Sequence, residues 1–312
     1  MNNYNFSKNQ IMISVVIPTY NGGDLLSYTL NSLCNQTLDK NYFEVLVADD
    51  GGTDEMTPKI IKEYRKKLNL HYFWQEDKGF RAGAARNIGV NKAKGKYILF
   101  IDTGIILSTT GLEYHLMAHE KAEFPSIIIG YVHAFEISDD QVDRLLPYVD
   151  SEDADACIKS AKKQKAHDIR ERQYEVLGDD IHFWPAPFDI FWTCHVSAER
   201  EEIIKTGCFD SSNNTWGGED VDLGIKLFNN GNCYYMDREI SSFHWPHINQ
   251  INKKEKSAEA GARLHQKYQM WQTSYYEKMN IDNNHDKFSL NAAIKCIGPI
   301  HDKKNIKKFM NW

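Results

Sequence analysis

Seven consecutive residues, Trp216-Gly217-Gly218-Glu219-Asp220-Val221-Asp222, carry the densest chemistry in the chain. Two carboxylates stand side by side, behind two glycines and a tryptophan, at what reads as the start of a helix. Carboxylates in a first helical turn are favoured by the helix dipole, and one of such a pair can take a proton from a bound hydroxyl. An exposed tryptophan is a flat apolar plate on which a sugar ring can lie. Paired glycines let the loop bend and let backbone approach a ligand closely. Taken alone, Glu-Asp also reads as an ordinary acidic helix cap. The Trp-Gly-Gly lead and the motifs upstream favour chemistry.

Positioning that loop falls to a regular series of elements. Ile13 to Ile17 is a short apolar, β-branched run that Pro18 should stop. Leu26, Leu30 and Leu33 recur at helical spacing behind Asp24, read as a cap. Phe43 to Ala48 reads as a second strand and Glu55 to Lys67 as a helix. Leu70 to Trp74 is a third strand, Gly83 to Lys94 a helix, and Tyr97 to Ile101 a fourth strand. This alternation predicts an α/β fold with a parallel sheet covered by helices. Ligands on such sheets sit beyond the carboxyl ends of the strands. The polar clusters Thr19-Tyr20-Asn21, Asp49-Asp50 and Asp102 fall at those ends.

The rhythm fails after Ile127 to Val132. Residues 139–180 are charged and read as a helical insertion or lid. An apolar pattern returns at Phe188 to Val196, and a helix is expected near Ala198 to Lys205. The helix after Glu219-Asp220 has a stripe of Val221, Ile225 and Phe228 and stops at Asn230-Gly231. Asn252 to Lys278 reads as one long helix. The expected division is a catalytic domain at 1–250 and a helical extension at 251–312.

Composition narrows the function classes. The 312 residues are 42% hydrophobic and 26% charged, ordinary for a globular chain, and 12% aromatic, which suits a carbohydrate-handling surface. A net charge of −6 gives no electrostatic footprint for nucleic acid. No apolar run reaches membrane-spanning length, and Met1 to Gln10 is too polar for a signal peptide. The six cysteines lack metal-type spacing and read as reduced thiols. A cytoplasmic location is expected, with peripheral contact at a membrane's inner face through the lysine-rich tail Lys303 to Phe309 and Trp312 as the sharper alternative to a solvated end.

Four segments, in order, resemble the GT-A glycosyltransferases, specifically the large inverting family 2. They are Ser14 to Asn21, Val47 to Asp54, Arg81 to Gly89, and Gly207-Cys208-Phe209-Asp210 through Leu223. The last is similar to a segment of β-1,4-galactosyltransferases, polypeptide N-acetylgalactosaminyltransferases and chondroitin polymerase. The resemblance implies a Rossmann-like nucleotide-binding sheet and a nucleotide-sugar donor, usually a UDP-sugar, lying across the strand ends. Pro18, Thr19 and Tyr20 would line the nucleoside. Asp50 would accept a hydrogen bond from uracil, with Asp49 as the alternative. Arg86, and Arg81 beside it, would sit near uracil or phosphate; without the resemblance, Arg86 reads as a surface helix residue.

The resemblance further implies inversion at the anomeric carbon, with Asp220 as general base. Glu219, Trp216, Gly217 and Gly218 would hold the acceptor, whether carbohydrate, peptide or small molecule. Asp222 reads as structural. Asp102-Thr103-Gly104 stands where the family has Asp-x-Asp, so the second acidic ligand for Mn²⁺ or Mg²⁺ is replaced by Gly104. Asp102, alternatively a donor-binding residue at the ribose, and a downstream histidine, His244 before His247, are the remaining metal candidates. Two alternatives stay open: a nucleotidyltransferase making nucleotide sugars, and a sugar-binding module without activity. The first lacks the basic glycine-rich loop after strand one; Glu219 and Asp220 weigh against the second.

Overall fold

A computed structural model describes residues 10–212, 215–247, 253–276 and 290–297. Within them, eight strands form one sheet in the order β3-β2-β1-β4-β7-β6-β8-β5. The strands are β1 (Ile13–Thr19), β2 (Phe43–Asp49), β3 (Leu70–Trp74), β4 (Tyr97–Ile101), β5 (Ile105–Leu107), β6 (Ser126–His133), β7 (His195–Glu199) and β8 (Cys233–His244). The first four pair in parallel, as the alternation predicts. Beyond β4 the sheet becomes mixed: β7 runs antiparallel to both β4 and β6, and β5 antiparallel to β8.

Side chains alternate across the sheet and build two cores. Val15 and Ile17 of β1, with Val45 and Val47 of β2, face Leu26, Leu30 and Leu33 of α1 (Gly23–Cys34) and Ile61 of α2 (Met56–Tyr64). Val16, Leu46, Ile98 and Phe100 face the other way. They join Val90 of α3 (Ala82–Lys92) and Val221, Leu223 and Ile225 further along the chain. The strands are thus buried on both faces, which is why their sequences read as continuous apolar runs.

Pro18 does not end β1. It pairs with Ala48 of β2, and the β4 ladder has already finished at Val16, so its missing N–H is not needed on that side. Asp24 sits in the first turn of α1 and Gly22 is the cap. Asp54 caps α2 instead, accepting from the backbone N–H groups of Met56 and Thr57 at 2.8 and 2.7 Å.

After β5 come α4 (Gly111–Lys121) and β6. Residues 139–180 then hold α5 (Asp139–Leu145), α6 (Ala154–Gln164) and α7 (Glu171–Leu177). The segment carries its own small core around Leu145, Cys157, Ile158 and Ala161, and a fully buried Arg170–Asp168 ion pair at 2.6 Å. Phe188 to Val196 is mostly not strand: a short 3-10 turn at Pro187–Ile190 precedes β7. Ala198 belongs to β7, and α8 begins only at Arg200 (Arg200–Lys205).

α9 (Glu219–Asn229) starts at the Glu-Asp pair. α10 covers Lys253–Tyr268 and stops ten residues short of the expected Lys278, because Gln269 turns into the left-handed region at φ 49° and the chain folds back to bury Tyr275 and Tyr276. α11 (Leu290–Ile297) docks Leu290, Ala293 and Ile294 onto the main core. The five cysteines whose side chains are described are free. Residues 1–9 and the lysine-rich tail lie outside the described residues.

Candidate active site

The carboxyl ends of β1, β2 and β4 meet on one edge. Thr19 and Asp49 are register partners across β1 and β2. Thr19 is buried, and its hydroxyl has no hydrogen-bond partner. Both Asp49 oxygens are engaged: Oδ1 accepts from the Gly52 N–H at 2.7 Å and Oδ2 from the Tyr72 hydroxyl at 2.7 Å. Asp50 accepts from the Arg81 backbone N–H at 2.7 Å and from Gln75, and the Arg81 guanidinium stands 3.4 Å away. Tyr20 is half exposed, its hydroxyl 3.2 Å from Asp77. Pro18 anchors the edge through its carbonyl, which accepts from the Thr103 hydroxyl at 2.9 Å.

Arg86 is not on the surface. It is 4% exposed on α3, and its Nη2 donates to Asp102 Oδ1 at 2.7 Å. Its Nη1 lies 3.6 Å from Glu219 Oε1. One guanidinium therefore joins Asp102 from the first half of the sheet to the Glu-Asp pair from the second. Among the described residues its Nε and Nη1 and the Glu219 Oε2 have no hydrogen-bond partner, although all three are buried. Buried polar atoms left in that state are costly, and ligand atoms are a usual remedy.

Asp220 is partly buried in the first turn of α9. Burial, then the Glu219 charge, push its carboxyl up to about 7, against the opposing pull of Arg86. Such a carboxyl is matched to accept a proton near neutral pH. The turn that delivers it needs glycine twice over: Gly217 and Gly218 take φ of 98° and 87°, and a Cβ on Gly218 would stand 2.9 Å from that of Ala260. Trp216 just ahead is partly buried. Asp222, one residue past Val221, is buried and held by Lys226 at 3.0 Å, Lys267 at 2.7 Å and the Tyr268 hydroxyl at 2.8 Å. It is a framework residue.

Asn87 escaped the reading of the sequence, although it stands beside Arg86. Its side chain donates to the Phe209 carbonyl and accepts from the Phe209 N–H, both at 2.9 Å. This couples α3 to the 207–210 turn that leads into the acidic loop. Thr103 was overlooked too; its neighbours Asp102 and Gly104 drew attention as metal positions, while Thr103 ties β1 to the turn between them.

Gly104 is more than a lost carboxylate. Its φ of 97° excludes a comfortable side chain there, its N–H donates to Thr29 Oγ1 at 2.9 Å, and its carbonyl accepts from the Trp245 N–H at 2.9 Å. That last bond and the Ile105–His244 register bring His244 to the Asp102-Thr103-Gly104 turn. The His244 ring lies 5.2 Å from Phe135 and 5.0 Å from that of His247. Among the described residues no group of three or more His, Cys, Asp and Glu is placed to hold a metal ion. The donor set nevertheless fits a cation shared with a diphosphate, which needs only one or two protein ligands. Asp102 is 38% exposed, with a second oxygen beyond the one on Arg86.

Residues 14–193 match the family described as Glycosyl transferase family 2. The chain belongs to that family. The matched span holds the strand-end carboxylates, Arg86 and Asp102; it stops before Trp216. Over 236 residues the chain is 30% identical to validoxylamine A glucosyltransferase of Streptomyces hygroscopicus subsp. jinggangensis (strain 5008), covering 76% of this chain and 56% of that one. Over 259 residues it is 32% identical to hyaluronan synthase of Pasteurella multocida, covering 79% of this chain and 26% of that one. The chain thus spans about half the length, or less, of these curated relatives.

Among solved structures, it superposes on S. aureus TarS 1-349 in complex with UDP-GlcNAc with TM-score 0.58 at 16% identity, covering 96% of this chain and 79% of that one. It superposes on the mannosyltransferase PcManGT from Pyrobaculum calidifontis, in complex with GDP-Man and Mn²⁺, with TM-score 0.62 at 13% identity, covering 99% and 82%. These likenesses establish the fold: a GT-A α/β sheet flanked by helices, carrying a family 2 glycosyltransferase domain. Among the described residues no helix is long and apolar enough to cross a membrane.

Proposed function

We propose that this family 2 domain transfers a sugar, with inversion, from a nucleotide donor to an acceptor hydroxyl, and that Asp220 is the general base. The observation that carries the reading is the Arg86 bridge, which gathers Asp102 and Glu219 into one charged cluster beside an Asp220 whose proton affinity is raised to the neutral range. In this reading Pro18, Thr19 and Tyr20 line the nucleoside. The unpartnered Thr19 hydroxyl and the unpartnered Arg86 N–H groups are the atoms with bonds left to make. Asp50, or else Asp49, accepts from the base; a carboxylate with two partners still has lone pairs to offer. A UDP-sugar is the favoured donor, as the bound ligand of the TarS structure suggests. Arg81 and Arg86 face its phosphates.

The acceptor hydroxyl attacks opposite the departing diphosphate while Asp220 takes its proton. Glu219 and the Trp216-Gly217-Gly218 turn hold the acceptor, whose class (carbohydrate, peptide or small molecule) is set by that side of the cleft. Asp102 and His244, with His247 as second choice, would hold Mn²⁺ or Mg²⁺, and the cation would offset charge on the leaving diphosphate. The lysine-rich tail is proposed as a peripheral membrane contact, which vesicle sedimentation with and without residues 303–312 would test.

A thermal-shift panel of nucleoside diphosphates and nucleotide sugars, each with Mn²⁺, Mg²⁺ or chelator, tests donor and metal together. Ligands that bind only the folded state raise its melting temperature. UDP and at least one UDP-sugar should do so, more with metal than with chelator. Stabilisation by sugar phosphates and nucleoside triphosphates, with pyrophosphate release, would instead support a nucleotidyltransferase.

A further inference from the structure

The acidic loop receives no side-chain cap from its own helix, only the backbone hydrogen bond from the Asp222 N–H to the Gly218 carbonyl at 2.8 Å. Gly218 caps α9 without a side-chain bond, and the left-handed turns at Gly217 and Gly218 have many neighbouring conformations open to them. What fixes them comes from α10. Arg263 Nη2 donates to the Gly217 carbonyl at 3.0 Å. Ala260 and Leu264 lie against the space where a Gly218 side chain would be. Lys267 Nζ stands 2.7 Å from Asp210 and 2.7 Å from Asp222. Asp210 precedes the loop, and Asp222 lies in the first turn of α9 just beyond it. A single ammonium group therefore spans both ends of the segment that carries Trp216, Glu219 and Asp220. Lys267, then Ser212, hold the Asp210 carboxyl far below its ordinary range, so it stays ionised beside the Lys267 ammonium at all but strongly acid pH.

We propose that α10 is a strut for the acidic loop, with Lys267 and Arg263 as positioning residues that aim Asp220 without touching substrate. The proposal rests on Asp220 being the base. Neither residue lies among the donor-facing side chains of the sheet edge, so the strut acts on turnover and not on donor affinity. Misplacing a catalytic group by about 1 Å can cost up to roughly 100-fold in rate.

The test uses the full chain and measures UDP release from whichever of UDP-glucose or UDP-N-acetylglucosamine gives the larger thermal shift, across pH 5.5–9. Lys267→Met should lower kcat about 10- to 100-fold and leave donor KM within about twofold. It should also move the acid limb of the kcat profile below that of the parent protein, because water reaches a loosened Asp220. Lys267→Arg should recover most of kcat and restore the limb. Arg263→Ala, which removes one rim hydrogen bond, should show the same split on a smaller scale, and it decides the matter if Lys267→Met does not fold. Parent-like kcat and pH limb in these variants overturn the strut, as does a loss confined to KM. Asp220→Asn run alongside separates the two failures. Its inactivity beside an unimpaired Lys267→Met removes the strut alone, whereas its near-normal turnover removes the base and, with it, the strut's role of aiming Asp220.

Discussion

The carboxylates on the two sides of the cleft stand in opposite states. At the strand ends, each oxygen of Asp49 and Asp50 already has a partner among Gly52, Tyr72, Gln75 and Arg81. At the start of α9, among the described residues, Glu219 keeps an unpartnered oxygen, and Asp220 has only the neighbouring Val221 N–H at 2.8 Å and a proton affinity lifted by burial. A carboxylate with a partner on each oxygen is fixed in place and still has lone pairs to offer. An under-satisfied one retains free energy to release when it meets a proton or a hydroxyl. In the proposed function this contrast divides the work, binding in the first half and proton transfer in the second, with Arg86 placed between Asp102 and Glu219.

Asp220→Asn breaks the reactive side most completely. Turnover should fall about 10²- to 10⁴-fold, since that is what a positioned base contributes, while the thermal shift by UDP stays as in the parent. The same change should stabilise the fold in one pH range. The folded pKa of Asp220 lies above its ordinary value of 3.8. The folded state therefore holds this proton more tightly than the unfolded chain, and the resulting stability, complete below about pH 4, drains away as pH rises to about 7. Asparagine carries no charge to bury, so the variant should melt with the parent at pH 4 and above it at pH 8. Equal melting at both pH values would show that Asp220 is solvated, and the contrast between the two sides would lose its reactive half. In the parent, kcat should rise through about pH 7 as the base loses its proton.

Arg86→Met attacks the bridge. Three carboxylates, Asp102, Glu219 and Asp220, would share a cleft with no cation among them. Removing one partner of a buried ionic cluster costs on the order of 3 kcal/mol. The loss should be larger at pH 8 than at pH 5.5, where Asp220 is protonated. Melting curves at the two pH values check it; a pH-independent loss would make Arg86 a packing residue and uncouple the two halves.

How much of this was legible differs between the same two halves. β3 and β4 were bounded correctly because each is a continuous apolar and aromatic run closed by polar residues. β7 was not: the apolar run Phe188 to Val196 and the helical reading from Ala198 cut across His195–Glu199, whose strand state comes from pairing with both β4 and β6. The Arg86 type was readable but not its burial. Its partners lie 16 and 133 positions away, and the Ala- and Gly-rich α3 shows little amphipathic pattern. The end of α10 was misread for the opposite reason. Its residues suit a helix, but the burial of Tyr275 and Tyr276 outweighs propensity there.

Asn87→Ala sharpens the comparison at the junction. It deletes both hydrogen bonds to Phe209, which should cost about 1–3 kcal/mol of stability because buried backbone groups lose their partners. Turnover, measured well below the melting temperature, should fall by less than in Arg86→Met, since charge in the cleft is unaltered. Reversing that order would move the coupling of the halves from electrostatics to packing.

The smallest expected effect concerns the metal. If Asp102 and His244 together hold the cation, His244→Gln should raise the Mn²⁺ concentration needed for half-maximal stabilisation of the UDP complex by about tenfold, near the 10- to 100-fold typical when a metal site loses a supporting group. Thermal shift against Mn²⁺ at saturating UDP reads this without relying on turnover. His247→Gln should change it less, because His247 lies past the end of β8, whereas His244 is fixed by the β5 register. The protein without UDP should show little response to Mn²⁺ in either variant, since two protein ligands alone bind such an ion weakly. A parent-like Mn²⁺ response in His244→Gln would leave Asp102 as the protein's contribution and place the remaining neutralisation of the diphosphate on Arg86 and Arg81. That result would give the donor side a charge-balancing role of its own and narrow the contrast with the acidic loop.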